Sequence, residues 1–262
     1  MKGGATDESP AMDGFAAIRA NEPARRAEAA AIAAGLSVLG RVAALPEDAL
    51  PPLPDGRPIG VLLLLGWRGA ENWSTFAASA EMRDGRPDPL DRWSKRVIGG
   101  IAADLGLVAL HPFEGPPWWP FQRWAMRTGH VSASPIGLGL DSEVGLWHAH
   151  RGALGLPKGV FLPAVESRPS PCESCRERPC LSTCPVEAFT ASGHVVERCR
   201  AHLLAPEGRL CREEGCRARL ACPIGREHRY AAPQIRFLMA AFVRFLDHWS
   251  AERPSGPAEE TR

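Results

Sequence analysis

The residues of this chain best suited to chemistry are its cysteines. All eight fall between positions 172 and 222. The first four read Cys172-x2-Cys175-x4-Cys180-x3-Cys184-Pro185; the rest read Cys199, then Cys211-x4-Cys216-x5-Cys222-Pro223. Thiolates are soft ligands, and a cubane iron–sulfur core takes four of them, so eight are enough for two cores. Closely spaced cysteines on a tight loop serve one core, while a cysteine followed by proline turns away and serves the other. On that logic Cys172, Cys175, Cys180 and Cys222 form one ligand set, and Cys184, Cys199, Cys211 and Cys216 form the second. Structural zinc, disulfides and unligated core thiols are the competing uses. Two Cys-Pro endings favour clusters over zinc. The N-terminus shows no secretory signal, which weighs against disulfides. So dense a group of thiols exceeds what packing requires.

The surroundings carry a matching charge. From His194 to Tyr230 there are eight arginines against five glutamates. That surplus would stabilise anionic centres, or would form an ordinary solvated surface. Val186 to Phe189, after the first Cys-Pro, is expected to cover a centre with apolar side chains. Outside the cysteine block, Trp118 and Trp119 could stack on a planar cofactor such as flavin or a corrin, or serve as core. His148 and His150 lie two apart, so on a strand they share a side, either as a cofactor contact or as a hydrogen-bonded pair. His111 ends an apolar strand, where a structural role is favoured. Neither a phosphate-cradling glycine loop nor a Ser/His/Asp or paired-carboxylate arrangement can be read, so the catalytic residues are unknown.

These residues need elements to hold them. The chain has 262 residues and a formal net charge of +1, which excludes a dominant electrostatic attraction to nucleic acid or anionic membrane. Its longest apolar run, Gly60 to Gly66, is too short to span a bilayer. Pro23 to Gly35 reads as a helix with Asn21 as candidate cap, and Leu36 to Leu45 as a strand. Ile59 to Leu65 reads as a buried strand. Asp88 to Gly106 is the strongest helix, with Asp88 as cap, Pro89 in the first turn, Gly106 as stop, and Leu90, Trp93, Val97, Ile98, Ile101 and Leu105 on one face. Leu107 to His111 is the next strand, Gln122 to Arg127 a short helix, and Val160 to Leu162 a last short strand. Pro233 to Trp249 is amphipathic, with Ile235, Leu238, Met239, Phe242, Phe245, Leu246 and Trp249 on its apolar face. The expected plan is α+β. Residues 1–13 are disordered, 14–165 form an α/β domain, and 163–171 form a linker. Residues 171–232 form a cysteine-rich dicluster module, 233–250 a closing helix, and 251–262 a disordered tail.

The cysteine order resembles that of bacterial two-cluster ferredoxins, with four residues rather than two between Cys175 and Cys180. It resembles more closely the dicluster module of epoxyqueuosine reductases. Pro135-Ile136-Gly137, Gly145-Leu146-Trp147 and Val160-Phe161-Leu162 are similar to the stretch that precedes the clusters in that family. The resemblance covers about residues 130 to 225. It implies a nitroreductase-derived N-terminal domain, a cobalamin cofactor fed by two [4Fe–4S] clusters, and a tRNA substrate. The family's catalytic Asp, three residues before the proline of Asp-Ser-x-Pro, is matched here by Ser132 in Ser132-Ala133-Ser134-Pro135. A serine cannot deliver a proton as a carboxylic acid does, so epoxyqueuosine reduction is not expected.

Three functional expectations follow. The first is a cytoplasmic iron–sulfur protein with two [4Fe–4S] clusters that passes electrons to or from a redox partner protein, with no membrane and, unless the tRNA-modifying resemblance holds, no nucleic acid. The second is a cobalamin- or flavin-dependent reductase related to that family but lacking its Asp. The third is a zinc-stabilised interaction module.

Overall fold

The computed structural model of the protein describes residues 14–162, 165, 168–190 and 193–251. The segments expected to be disordered, 1–13 and 251–262, lie outside the described residues, Ala251 excepted. In chain order the elements are α1 (Gly14–Ala33), β1 (Ser37–Ala43), β2 (Ile59–Arg68), α2 (Trp73–Ala77), α3 (Ala80–Arg83), α4 (Pro89–Leu105) and β3 (Val108–Leu110). Next come α5 (Phe121–Met126), β4 (Val131–Ala133), β5 (Gly139–Asp141), β6 (His148–Pro157), α6 (Pro171–Ser174) and α7 (Pro179–Ser182). The chain continues through β7 (Phe189–Thr190), β8 (Gly193–His194), α8 (Val196–Leu204), α9 (Arg209–Glu214), α10 (Arg217–Ala221) and α11 (Ala232–Ala251). The fold is mixed α+β. Among the described residues no helix is long and apolar enough to cross a membrane.

The chain divides into two compact units that are discontinuous in sequence. One comprises 1–66, 78–120 and 150–165; the other comprises 67–77, 121–149 and 166–262.

The first unit is built on a four-stranded sheet of order β1-β2-β6-β3. β1 runs antiparallel to β2, with an irregularity between Val38 and Gly40, and β3 runs antiparallel to β6. Leu62 to Leu65 on β2 are wholly buried, so both faces of that strand are covered, as its unbroken apolar run requires. Ala24, Ala27 and Ala31 form a fully buried stripe on α1. Their small side chains let the helix lie close to its neighbours, β1 and α4. Asn21 is not the cap of α1, which begins earlier, at Gly14; its side-chain oxygen accepts from Arg41 at 3.1 Å. α4 buries Leu90, Trp93, Ile98 and Ile101 on the expected face and ends on Gly106 in the left-handed conformation. Asp88 precedes it with φ 49° and makes no side-chain cap bond. The periodicity did not mark Ser94, which is fully buried on α4; its hydroxyl donates to the Leu90 carbonyl and accepts from Arg151.

The expected strand at Val160 to Leu162 is absent; the strand lies earlier, as β6. Glycines interrupt the apolar pattern there because neighbours leave no room for side chains. A Cβ on Gly155 would stand 2.4 Å from Ile59 Cδ1, and one on Gly152 would stand 2.6 Å from Ile98 Cδ1.

In the second unit Trp67, Trp73, Phe76 and Phe237 pack ring against ring, with centroids 5.3 to 6.2 Å apart. α11 buries Gln234 and Leu246, whereas Phe245, expected on its apolar face, is exposed. β4 and β5 form a hairpin closed by Asp141, a buried carboxylate. Asp141 accepts from the backbone N–H groups of Glu143 and Val144 at 2.8 and 2.9 Å, and from His130 Nδ1 at 3.0 Å, with Arg68 at 3.6 Å. Burial pushes its pKa up, but these donors and the Arg68 charge outweigh it and hold the carboxyl well below the usual carboxylate range. A carboxyl held low in the folded state contributes stability above its unfolded value of about 4 and loses it as pH falls through the folded value. Asp141→Asn is therefore expected to cost about 1–3 kcal/mol at pH 7, with the gap to wild type narrowing below pH about 4. Denaturant melts across pH measure this; a gap independent of pH would contradict it.

Candidate functional site

The cysteines are positioned by short helical turns, several of which open on proline. Pro171 and Pro179 occupy the first turns of α6 and α7, where a missing N–H costs nothing, and Cys172 and Cys180 follow them directly. Ser170 caps α6, its hydroxyl accepting from the Cys172 N–H at 3.3 Å. Ser132, on β4, stands 2.8 Å from the same hydroxyl. The position that carries an acid in the resembling family here braces the turn that presents Cys172.

Four thiols share one cavity. Cys172, Cys175, Cys180 and Cys222 line it together with Ile136, Leu140, Leu146, Ile224 and several prolines, and with Arg178, whose charge opposes the upward shift of Cys172. Its walls are almost wholly apolar. Cys172 is pushed above the usual thiol range by burial and by the charges of Cys222 and Cys175; Cys180 is raised by burial and by Cys222, Cys172 and Cys175. The other four form a second neighbourhood. Burial, then Cys216, Cys184 and Cys211, drive Cys199 up to about 12. Cys216 and Cys211 are raised too, burial first, each against Cys184. Cys199 and Cys211 pack with Leu203, Leu246, Met239 and Phe242, under α11. Cys184 accepts the Ala188 N–H at 3.3 Å, and Phe189 packs among the cysteines beside Ile136 and Leu146. Cys222 thus lines the cavity of the first three cysteines, and Cys184 and Cys216 also pack against that cluster, while Cys199 and Cys211 lie apart under α11. All eight are free thiols.

Raised pKa values set the chemistry of five of them. A nucleophilic or disulfide-exchanging cysteine needs a depressed one, created by a nearby cation or a helix N-terminus. Cys172, Cys180, Cys199, Cys211 and Cys216 are shifted the other way.

A backbone crossing holds the cavity wall. Gly145 and Gly225 both have positive φ, 60° and 65°. A Cβ on Gly225 would stand 2.3 Å from the Val144 carbonyl carbon, and one on Gly145 would stand 2.2 Å from the Ile224 oxygen. The two chains touch where Leu146 and Ile224 enter the cavity. The sequence signal was the Gly in each of Gly145-Leu146 and Ile224-Gly225, which spacing alone cannot pair.

The remaining candidates are dispersed. Trp118 is exposed and Trp119 half-buried, both in the first unit, as is His150. His148 belongs to the second, and its Nε2 donates to the Gly139 carbonyl at 3.0 Å. Burial lowers its pKa, and the positive charge of Arg219 adds to that, against Gly139 and Asp141. His111, in the first unit, is buried, with Nδ1 3.0 Å from Glu114, which in turn meets Lys95 at 2.7 Å.

No protein-family model matches the chain, that of the epoxyqueuosine reductases included, and no curated protein matches it. Among solved structures the chain is similar to the crystal structure of a C. elegans B12-trafficking protein, CblC, a homologue of human MMACHC. The two are 15% identical, the match covers 90% of this chain and 97% of that one, and the TM-score is 0.48.

The expectation of an iron–sulfur, ferredoxin-type, metal-binding module is corrected here. Among the described residues no three His, Cys, Asp or Glu side chains are placed so as to hold a metal ion. A structural zinc site, which needs sulfurs at about 2.3 Å from a single ion, is not formed among these residues either.

Gly225→Ala is expected to cost more than the about 1–3 kcal/mol of a left-handed alanine, because the new carbon also meets backbone. Gly137→Ala, at φ 76° with open space around it, should cost only the conformational part. Urea denaturation compares them; equal losses would remove the crossing as a constraint.

Proposed function

We propose that the chain is a reductase of the cobalamin- or flavin-dependent kind, related to the epoxyqueuosine reductases but lacking their catalytic Asp. The observation that carries this reading is the buried His111, held by Glu114 and meeting Phe113, over whose ring Arg151 lies. The apolar cavity lined by Cys172, Cys175, Cys180 and Cys222 belongs to the second unit and is kept dry by Ile136, Leu140, Leu146 and Phe189.

An enzyme is favoured over a bare carrier by the polar apparatus of the first unit, which electron carriage by the cysteines does not require. Beyond His111 with Glu114 and Lys95, Arg151 is held by Ser94 and Asp91 and lies over the Phe113 ring at 5.5 Å. These groups sit where β3 ends and β6 begins. Trp118, Trp119 and His150, in the first unit, are the proposed contacts of that cofactor. The domain limits 14–165, 171–232 and 233–250, a nitroreductase-derived first domain, a cytoplasmic setting and a redox partner protein belong to the same reading.

Addition of hydroxocobalamin or flavin tests it. One of the two is expected to bind and to change its absorbance spectrum; no binding of either would reject the reading.

A further inference from the structure

α1, the turn before β2 and the end of α4 border a cavity of about 310 Å³ within the first unit. That volume suits one small molecule, since such sites span roughly 300–1,000 Å³. Leu53 and Leu107 in its wall are buried, and Leu105 and Pro157 are half-buried, so part of the lining is apolar. Glu22 and Arg26, both on α1, and Arg57 line it as well. Glu22 and Arg26 stand four positions apart, a spacing at which opposite charges commonly pair along a helix. Here they do not: neither side chain makes a hydrogen bond or ion pair among the described residues. Arg57 is held by its turn, in which the Leu53 N–H donates to the Arg57 carbonyl and the Gly56 N–H to the Leu53 carbonyl, both at 2.8 Å. Asp55 takes its Nε and Nη2 at 2.7 and 2.6 Å, which leaves Nη1 open among the described residues. α4 ends in the same wall at Leu105 and Gly106, where its carbonyl end adds partial negative charge.

The cavity therefore offers unspent charge of both signs beside an apolar surface. A simple organic anion would leave Glu22 unanswered, and a simple organic cation would leave Arg26 unanswered. A small zwitterion with an apolar body answers both. The geometry points to a binding site for a free apolar α-amino acid, with its carboxylate on Arg26 and Arg57 Nη1, its ammonium on Glu22 and its side chain against Leu53, Leu105 and Leu107. None of the proposed cofactor contacts lines this cavity, so the inference stands apart from the reading under Proposed function.

Equilibrium dialysis of L-leucine and L-phenylalanine against the full chain tests it. 3-Phenylpropionate, which lacks the ammonium, and 2-phenylethylamine, which lacks the carboxylate, are the comparison probes. Both amino acids are expected to bind, with phenylalanine about tenfold tighter than either single-charge probe. Arg26→Gln should weaken phenylalanine about tenfold and leave 2-phenylethylamine unchanged. Glu22→Gln should weaken phenylalanine to the same degree and leave 3-phenylpropionate unchanged. Both side chains are exposed, so both variants should fold as the wild type does. Pro23 also lines the cavity, and Pro23→Trp, which fills it from α1, should abolish binding. Should that variant not fold, the two charge variants are read in its place. Failure of both amino acids to bind at millimolar concentration overturns the inference. So does 3-phenylpropionate or 2-phenylethylamine binding as tightly as phenylalanine, which removes the need for a zwitterion. Undiminished binding to folded Pro23→Trp also overturns it, by placing the ligand elsewhere.

Discussion

An ionised thiol is poorly solvated among apolar side chains, and this protein places most of its thiols there. Burial is the leading cause of every resolved cysteine shift, and each shift is upward. The like charge of neighbouring cysteines adds to it in nearly every case. The five raised thiols, Cys172, Cys180, Cys199, Cys211 and Cys216, are poorer nucleophiles than an exposed cysteine. The rest of the cysteine-bearing unit is arranged around that constraint. Proline-led turns present Cys172 and Cys180, a Ser132–Ser170 contact braces the first turn, and two crossing glycines bring Leu146 and Ile224 to the wall. Arg219 ties α10 to the Leu146 carbonyl and the Trp147 and Tyr230 rings.

Much of the secondary structure could be read because local preference and tertiary need agree. The α4 helix carries its apolar face, its stop glycine and its first-turn proline in plain order. β2 is a short apolar run covered on both faces. Where the two disagree, the reading missed. β6 needs Gly152 and Gly155 because Ile98 and Ile59 occupy the space, and those glycines erase the strand pattern. Asp88 takes a left-handed conformation without capping, so its identity misled. Phe245 follows the helical period yet is exposed, while Gln234, polar by type, is fully buried.

The site divides in the same way. That Cys222 lies with the first three cysteines follows the Cys-Pro ending that redirects the chain, a local effect. The cavity wall was not, because Gly145 and Gly225 meet across eighty positions. Arg219 was one of eight arginines in its segment, and composition cannot say which of them is gripped by two rings and a carbonyl. The division of the chain was also hidden. Residues 121–149 precede the cysteines in sequence but fold with them, since the β4–β5 hairpin supplies Ile136 and Leu140 to the thiol cavity.

The central claim is that the eight sulfurs form two groups of four in crossed order, and it can be tested without any cofactor. Mild oxidation of the folded protein, followed by mass mapping of the disulfides formed first, reports which thiols are neighbours. The account predicts links within groups, Cys222 to Cys172 or Cys180 and Cys184 to Cys199, Cys211 or Cys216. Early links that instead join Cys180 to Cys184 or Cys216 to Cys222 would contradict it.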